Sequence, residues 1–157
     1  MKKIVIFAVA MLLCITVGAQ SKHVVYQGDV ETGYSLGIAD GFDMDRFLLH
    51  TCHGVKIGEH FGIGVGAGIE YYFQSGNDFI TVPVFVRLKR SWDVSKRNDF
   101  FVLADTGCAF ADDGGNDFLL SPRIGISHKT LKRQALNFSF GCDVTTFALT
   151  FRVGYQF

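Results

Sequence analysis

Apolar and polar positions alternate with a period of two along most of this chain, from about Val30 to Phe157. The last segment shows it best. Phe147, Leu149, Phe151, Val153, Tyr155 and Phe157 alternate with Ala148, Thr150, Arg152, Gly154 and Gln156. Successive side chains of a β-strand point to opposite faces, so this segment reads as a strand with one aromatic face and one small, polar face. About 9–11 residues cross a bilayer as a tilted strand, and the segment has that length.

Seven earlier segments read the same way, at residues 30–39, 45–57, 61–73, 79–89, 100–110, 118–127 and 136–144. Turn clusters separate them. The strongest are Asp40-Gly-Phe-Asp43 and Asp112-Asp-Gly-Gly-Asn116, which carry the residues that tolerate turn conformations. A tight turn is expected at Thr145-Thr146. Pro83 and Pro122 fall inside strands, where a missing N–H breaks the ladder; placement at the rim or in a bulge is expected. Residues 91–98 form one of the longest connections, on the side where short turns belong.

The two faces differ in kind. The apolar face is almost free of charge and has aromatics towards strand ends, at Phe61, Tyr71, Phe73, Phe100, Phe110, Phe118, Phe151 and Tyr155. The other face is mostly Gly, Ser, Ala and Asn, with one or two charges per strand. A solvated exterior is usually dense in Lys and Glu, whereas an outer lipid band flanked by aromatic girdles has the pattern seen here. The predicted fold class is all-β, an eight-stranded antiparallel up-and-down transmembrane β-barrel. A soluble sandwich shows the same alternation but would place its bulk on the inner face.

Charges on the inward face follow strand parity. Glu31, Glu70, Asp105 and Asp143 lie on odd strands; Arg46 with Lys56, Arg87 with Lys89, Arg123 and Arg152 lie on even ones. Adjacent strands should therefore pair opposite charges, Arg152 with Asp143 or Glu31, and Arg123 with Asp105 or Asp143. An eight-stranded barrel is just wide enough for side chains to fill it, and buried charges must be paired. An interior salt-bridge plug is expected, not an ion pathway or porin.

The N-terminus adds an export signal. Met1-Lys-Lys3 precedes an apolar run from Ile4 to Val17, broken only by Thr16, and Gly18-Ala19-Gln20 supplies small residues for cleavage. The run is too short for a membrane helix and reads as a signal peptide over 1–19, leaving 20–157 as one barrel domain. Cys14 lacks the small preceding residue that lipidation wants. About 137 residues remain, enough for one domain. Without Lys2 and Lys3 the mature chain has 13 basic against 15 acidic residues, so no nucleic-acid partner is indicated. Cys52, Cys108 and Cys142 remain; Cys108 and Cys142 sit on strands about 9.5 Å apart, beyond disulfide reach, and Cys52 faces the other way. Three free thiols are expected.

Three motifs carry weaker chemistry. Gly62, Gly64, Gly66 and Gly68 recur every second residue; a dinucleotide fingerprint needs GxGxxG opening a helix, so these glycines are read as interior room for long side chains from opposite strands. His50 and His53 point to opposite faces and cannot converge on a metal. His50 shares a face with Cys52, but no third ligand is placed. His50, Ser35 and Ser121 are inward and match the residue types of lipid-modifying barrel enzymes, without a local signature. No catalytic, cofactor or metal site is assigned, and no cofactor is expected.

On its signal peptide, strand count and terminal Phe157, the chain resembles the small eight-stranded outer-membrane barrels of the OmpA/OmpX-like group. The resemblance implies a non-catalytic structural or surface-interaction protein of the cell outer membrane, monomeric and in contact with outer-membrane lipid. It also implies that the barrel-insertion machinery reads the strand ending at Phe157. The alternatives are a lipid-modifying barrel enzyme and a soluble periplasmic lipid-binding barrel.

Overall fold

A computed structural model of the 157-residue chain describes residues 24–38, 45–73, 78–111, 115–131 and 134–157. The expected signal segment and the 40–43 turn cluster lie outside them. Eight strands follow one another: β1 Val24–Gly37, β2 Asp45–Ile57, β3 Phe61–Phe73, β4 Phe79–Asp93, β5 Asn98–Ala111, β6 Asn116–Leu131, β7 Gln134–Asp143 and β8 Ala148–Gln156. Each pairs antiparallel with the next, and β8 pairs back onto β1, from Asp29–Gln156 to Gly37–Ala148. The sheet closes and has no free edge, which removes the unpaired backbone that neither lipid nor a packed core tolerates.

Face assignment follows the alternation. Phe47, Leu49, Val65, Ile69, Val84, Ile124 and Phe151 are exposed on the outer wall, while Glu31, Arg46, Glu70, Arg87, Asp105, Arg123, Asp143 and Arg152 are buried inside. Near the end away from Val24 and Phe157, Phe140, Phe151, Tyr34, Phe47 and Tyr71 stand side by side at one register across β7, β8, β1, β2 and β3. Tyr26, Phe61, Trp92, Phe100 and Tyr155 mark the other end, with Trp92 and Phe100 paired at 5.9 Å between ring centroids. Two aromatic belts bounding an aliphatic band match a lipid-facing wall. This is the reverse of a soluble lipid-binding barrel, whose apolar side chains line the interior.

Several expectations need correction. β1 begins at Val24, not Val30, because Gly28-Asp29 reads locally as a turn yet pairs with β2 and β8, and Gly28 and Phe157 exchange backbone bonds of 2.9 Å. The 91–98 connection shrinks to Val94–Arg97, since β4 runs on to Asp93 opposite Asp99 of β5. Its unexpected length came from reading paired charged residues as loop. Phe147 belongs to the β7–β8 turn with φ 49°, so β8 starts at Ala148; the turn itself falls where expected.

Neither proline sits in a bulge. Pro83 is fully buried and pairs with Ala109 of β5, while β3–β4 pairing is interrupted beside it between Ala67–Val84 and Glu70–Thr81 with the register unchanged. Pro122 pairs with Ala104 of β5. Towards β7, Val144 donates to Leu120 on one side and the ladder resumes at Arg123–Gly141 on the other, in the same register. Each proline gives up one ladder bond on one side and leaves the other side intact. The register shift that does occur lies between Lys129 and Leu131, at the end of β6.

Cys52 is buried, Cys108 exposed and Cys142 half-buried, all three as free thiols. Glycines at inward positions make the space that large neighbours fill. A methyl group at Gly66 would strike the Phe85 ring and one at Gly68 the His50 ring, while at Gly64 it would come within 2.8 Å of Cys52 Sγ. The room serves side chains from the adjacent strands β2 and β4, not from opposite strands as expected. Lateral neighbours in a barrel this narrow reach the space above a glycine before any residue across the lumen does.

Candidate functional site: the charged lumen

Among the described residues, strand parity delivers six carboxylates, five cations and His50 to the buried interior. A charge taken from water needs close partners, and the lumen supplies them in layers. In the central layer Arg87 is clamped between two carboxylates. Its Nε and Nη2 donate to Asp105 at 2.7 and 2.9 Å, and Nη1 and Nη2 donate to Glu31 at 2.7 and 2.8 Å. Such fork-to-fork contacts are among the stronger hydrogen bonds available. Arg123 donates to the same carboxylates, at 3.1 Å to Glu31 and in close contact with Asp105. Asp29 completes the layer 3.8 Å from Arg87.

The next layer lies towards the far end. Arg152 Nη1 donates to His50 Nδ1 at 2.6 Å, and His50 Nε2 lies 3.0 Å from Glu70 Oε1. A guanidinium has no acceptor, so Nδ1 must be the bare nitrogen and Nε2–H donates to Glu70. Glu70 also receives Tyr72 Oη–H at 3.2 Å and forms an ion pair with Arg46, whose Nε lies 3.1 Å away. Arg46 then reaches Asp143 in close contact and donates to Thr146 Oγ1 at 3.0 Å. Thr150 donates to Asp143 at 3.2 Å and lies 2.8 Å from Ser35 Oγ.

The pairing is not simply between neighbours. Arg87–Asp105, Arg123–Asp105 and Arg46–Glu70 do join adjacent strands, as expected. Glu31 of β1, however, is held by Arg87 of β4 and Arg123 of β6, and Asp143 of β7 by Arg46 of β2. These bonds cross the lumen and tie opposite walls together. Arg152 was expected against Asp143 or Glu31. Its closest contact is His50, with Glu31 and Asp105 at 3.8 and 3.9 Å. Arg123 takes Asp105 as expected, with Glu31 in place of Asp143.

The residues weighed for lipid chemistry do not assemble. Both ring nitrogens of His50 are engaged, by Arg152 and Glu70, and Ser35 is bound to Thr150. Ser121 Oγ is buried with no hydrogen-bond partner among the described residues. Cys52 packs with Phe85 and Leu119 in a small apolar cluster, and His53 is outside, 2.6 Å from Tyr26 Oη. Among the described residues no three His, Cys, Asp or Glu side chains converge as metal ligands.

Tyr72, Asp29 and Asn137 belong to the network without having been singled out in the sequence. Asn137 donates to Asp29 at 3.4 Å. Tyr72 and Asn137 occupy inward parity positions inside expected strands, which was the signal that could have found them; Asp29 precedes the expected strand, and only its pairing with β2 and β8 places it in the lumen.

The architecture now has clear counterparts. It is similar to Neisserial surface protein A, with a TM-score of 0.65 at 12% identity, covering 86% of this chain and 98% of that one. This chain has the fold of a small eight-stranded transmembrane barrel. It is also similar to a de novo designed transmembrane β-barrel (TM-score 0.59, 15% identity, 84% of this chain and 92% of that one). The N-terminal barrel domain of Pseudomonas aeruginosa OprF superposes at a TM-score of 0.50 with 10% identity, over 83% and 97% of the two chains. No family model matches the sequence, and no curated protein matches it.

Proposed function

We propose that the protein is a non-catalytic outer-membrane barrel, a sealed structural element whose lumen is closed by cross-braced charges. The observation that carries this reading is the inside-out distribution of side chains: an apolar, aromatic-belted wall around a lumen whose guanidiniums bridge opposite strands. An apolar exterior needs lipid, and a braced lumen of this width leaves side chains, not water, along the axis. The far-end connection that is described throughout, 144–147, is short, which favours a structural role over one built on long surface loops. The exposed aromatic face of β8 is the surface that barrel-insertion machinery would engage.

Membrane fractionation tests the placement. The mature chain should separate with the outer membrane and run with a heat-dependent shift on mild detergent gels. Recovery as a soluble periplasmic protein would overturn the reading. Planar-bilayer recording tests the seal: the refolded barrel should give no stable, reproducible channel steps, and steps abolished by changing Arg87 or Arg123 would reveal a pathway through the charges.

A further inference from the structure

The two mouths of the barrel differ. Among the described residues the far end offers a recess of about 70 Å³ beside Arg46 and Tyr72. The end at which Val24 and Phe157 lie opens into a vestibule of about 540 Å³, within the size range of small-molecule sites. Lys89 lies at its inner end and is 8% exposed. Its Nζ donates to Gln156 Oε1 at 3.0 Å and sits 4.5 Å from the Phe101 ring centroid.

What Lys89 lacks is a carboxylate in contact; Asp29 acts on it only from beyond 4 Å. Arg46, Arg87, Arg123 and Arg152 each have a carboxylate oxygen within 4.0 Å. Among the described residues Lys89 has none, although a buried ammonium without a close anion is costly. Glu31 is committed to Arg87 and Arg123, and Asp29 divides its charge between Lys89 and Arg87 while accepting from Asn137. Lys56 lines the same vestibule, also without an ion pair among the described residues. The third lysine there, Lys129, is already neutralised by Asp93 at 2.9 Å and Asp99 at 2.7 Å. Glu59 sits exposed on the turn at the lip. Val25 of β1, opposite Lys56, and Ala135 of β7, opposite Gln156, give the wall an apolar side.

We infer that this vestibule binds a small organic anion, its carboxylate or phosphate held between Lys89 and Lys56 and its short apolar part against Val25 and Ala135. The anion supplies the contacting charge that Asp29 does not reach to give Lys89, with the side-chain amides of Gln27 and Gln156 as donors to its remaining oxygens.

The test is a chemical-shift titration of the refolded, isotope-labelled barrel in phosphatidylcholine nanodiscs, with butyl phosphate as probe. Inorganic phosphate and butanol serve as the anion-only and apolar-only probes. Saturable shifts at the side-chain amides of Gln27 and Gln156 are expected with butyl phosphate and not with butanol. Lys89→Met should weaken binding about tenfold or more, Lys56→Gln several-fold, and Lys96→Met, a charge on the turn outside the vestibule, not at all. Lys56 carries the test should Lys89→Met fail to fold.

A second arm separates the sources of such an anion. Nanodiscs containing phosphatidylglycerol that shift the same amides without added probe identify a lipid headgroup, whereas unchanged amides there, with binding of added butyl phosphate, identify a free metabolite. Absence of saturable shifts with either phosphate probe up to about 10 mM, or equal loss in Lys96→Met, would overturn the inference.

Discussion

Glu31 is the carboxylate whose removal should disturb the lumen most. It accepts two bonds from Arg87 at 2.7 and 2.8 Å, one from Arg123 at 3.1 Å, and lies 3.8 Å from Arg152. Glu31→Gln keeps the shape and removes the charge, leaving three guanidiniums around Asp105, with Asp29 the other carboxylate of that layer among the described residues, 3.8 Å from Arg87. Breaking a buried ion pair from one side costs about 3–5 kcal/mol, a large share of the roughly 5–15 kcal/mol that holds a typical domain folded. Arg123→Met alone should cost less, about 1.5–3 kcal/mol for lost charged hydrogen bonds, because Arg87 still clamps both carboxylates. Combining the two removes one charge of each sign, so the double variant should be more stable than the sum of the singles by more than about 1 kcal/mol. Equilibrium urea unfolding from detergent or thin bilayers reads this through Trp92, the chain's single tryptophan, which is exposed on the outer wall. Losses that add to within about 0.5 kcal/mol would refute the claim that these groups form one electrostatic unit.

Other outcomes follow from the same geometry. Arg152→Met should destabilise the barrel less than Arg87→Met, since its carboxylates stand at 3.8 and 3.9 Å against 2.7 Å for Arg87; the same unfolding assay ranks them. Gly66→Ala and Gly68→Ala should each cost about 1–3 kcal/mol by overpacking against Phe85 and His50, while Gly62→Ala, whose nearest neighbour would be Lys89 Cβ at 3.7 Å, should be close to neutral. Val86→Arg places a charge on the exposed outer wall of β4 and should cost about 2–4 kcal/mol in a bilayer if it lies near the midplane. An effect within about 0.5 kcal/mol, as on a solvated surface, would argue against a lipid-facing wall.

Strand existence, strand number and face were legible in the sequence because alternation is local: each residue's side follows from its neighbour's. Phe151 out and Arg152 in needed no knowledge of the rest of the chain, and neither did the parity that put acids and bases on alternating strands. Strand ends were less legible. Asp93, Asp99 and Asp29 are polar residues that continue a ladder, and only pairing with a neighbour distinguishes them from loop. The partner of each charge was not legible at all. Whether Glu31 meets Arg152 on the next strand or Arg87 across the lumen depends on how far the strands slide as the barrel closes, and on which neighbours are glycine. Those distances are set by the stagger of the whole closed sheet. The same closure leaves Lys89 facing a vestibule with no carboxylate within 4 Å among the described residues. The sequence by itself determined which residues enter the lumen; the tertiary structure alone decided which of them touch, because contact across a barrel is a property of closure and not of any one strand.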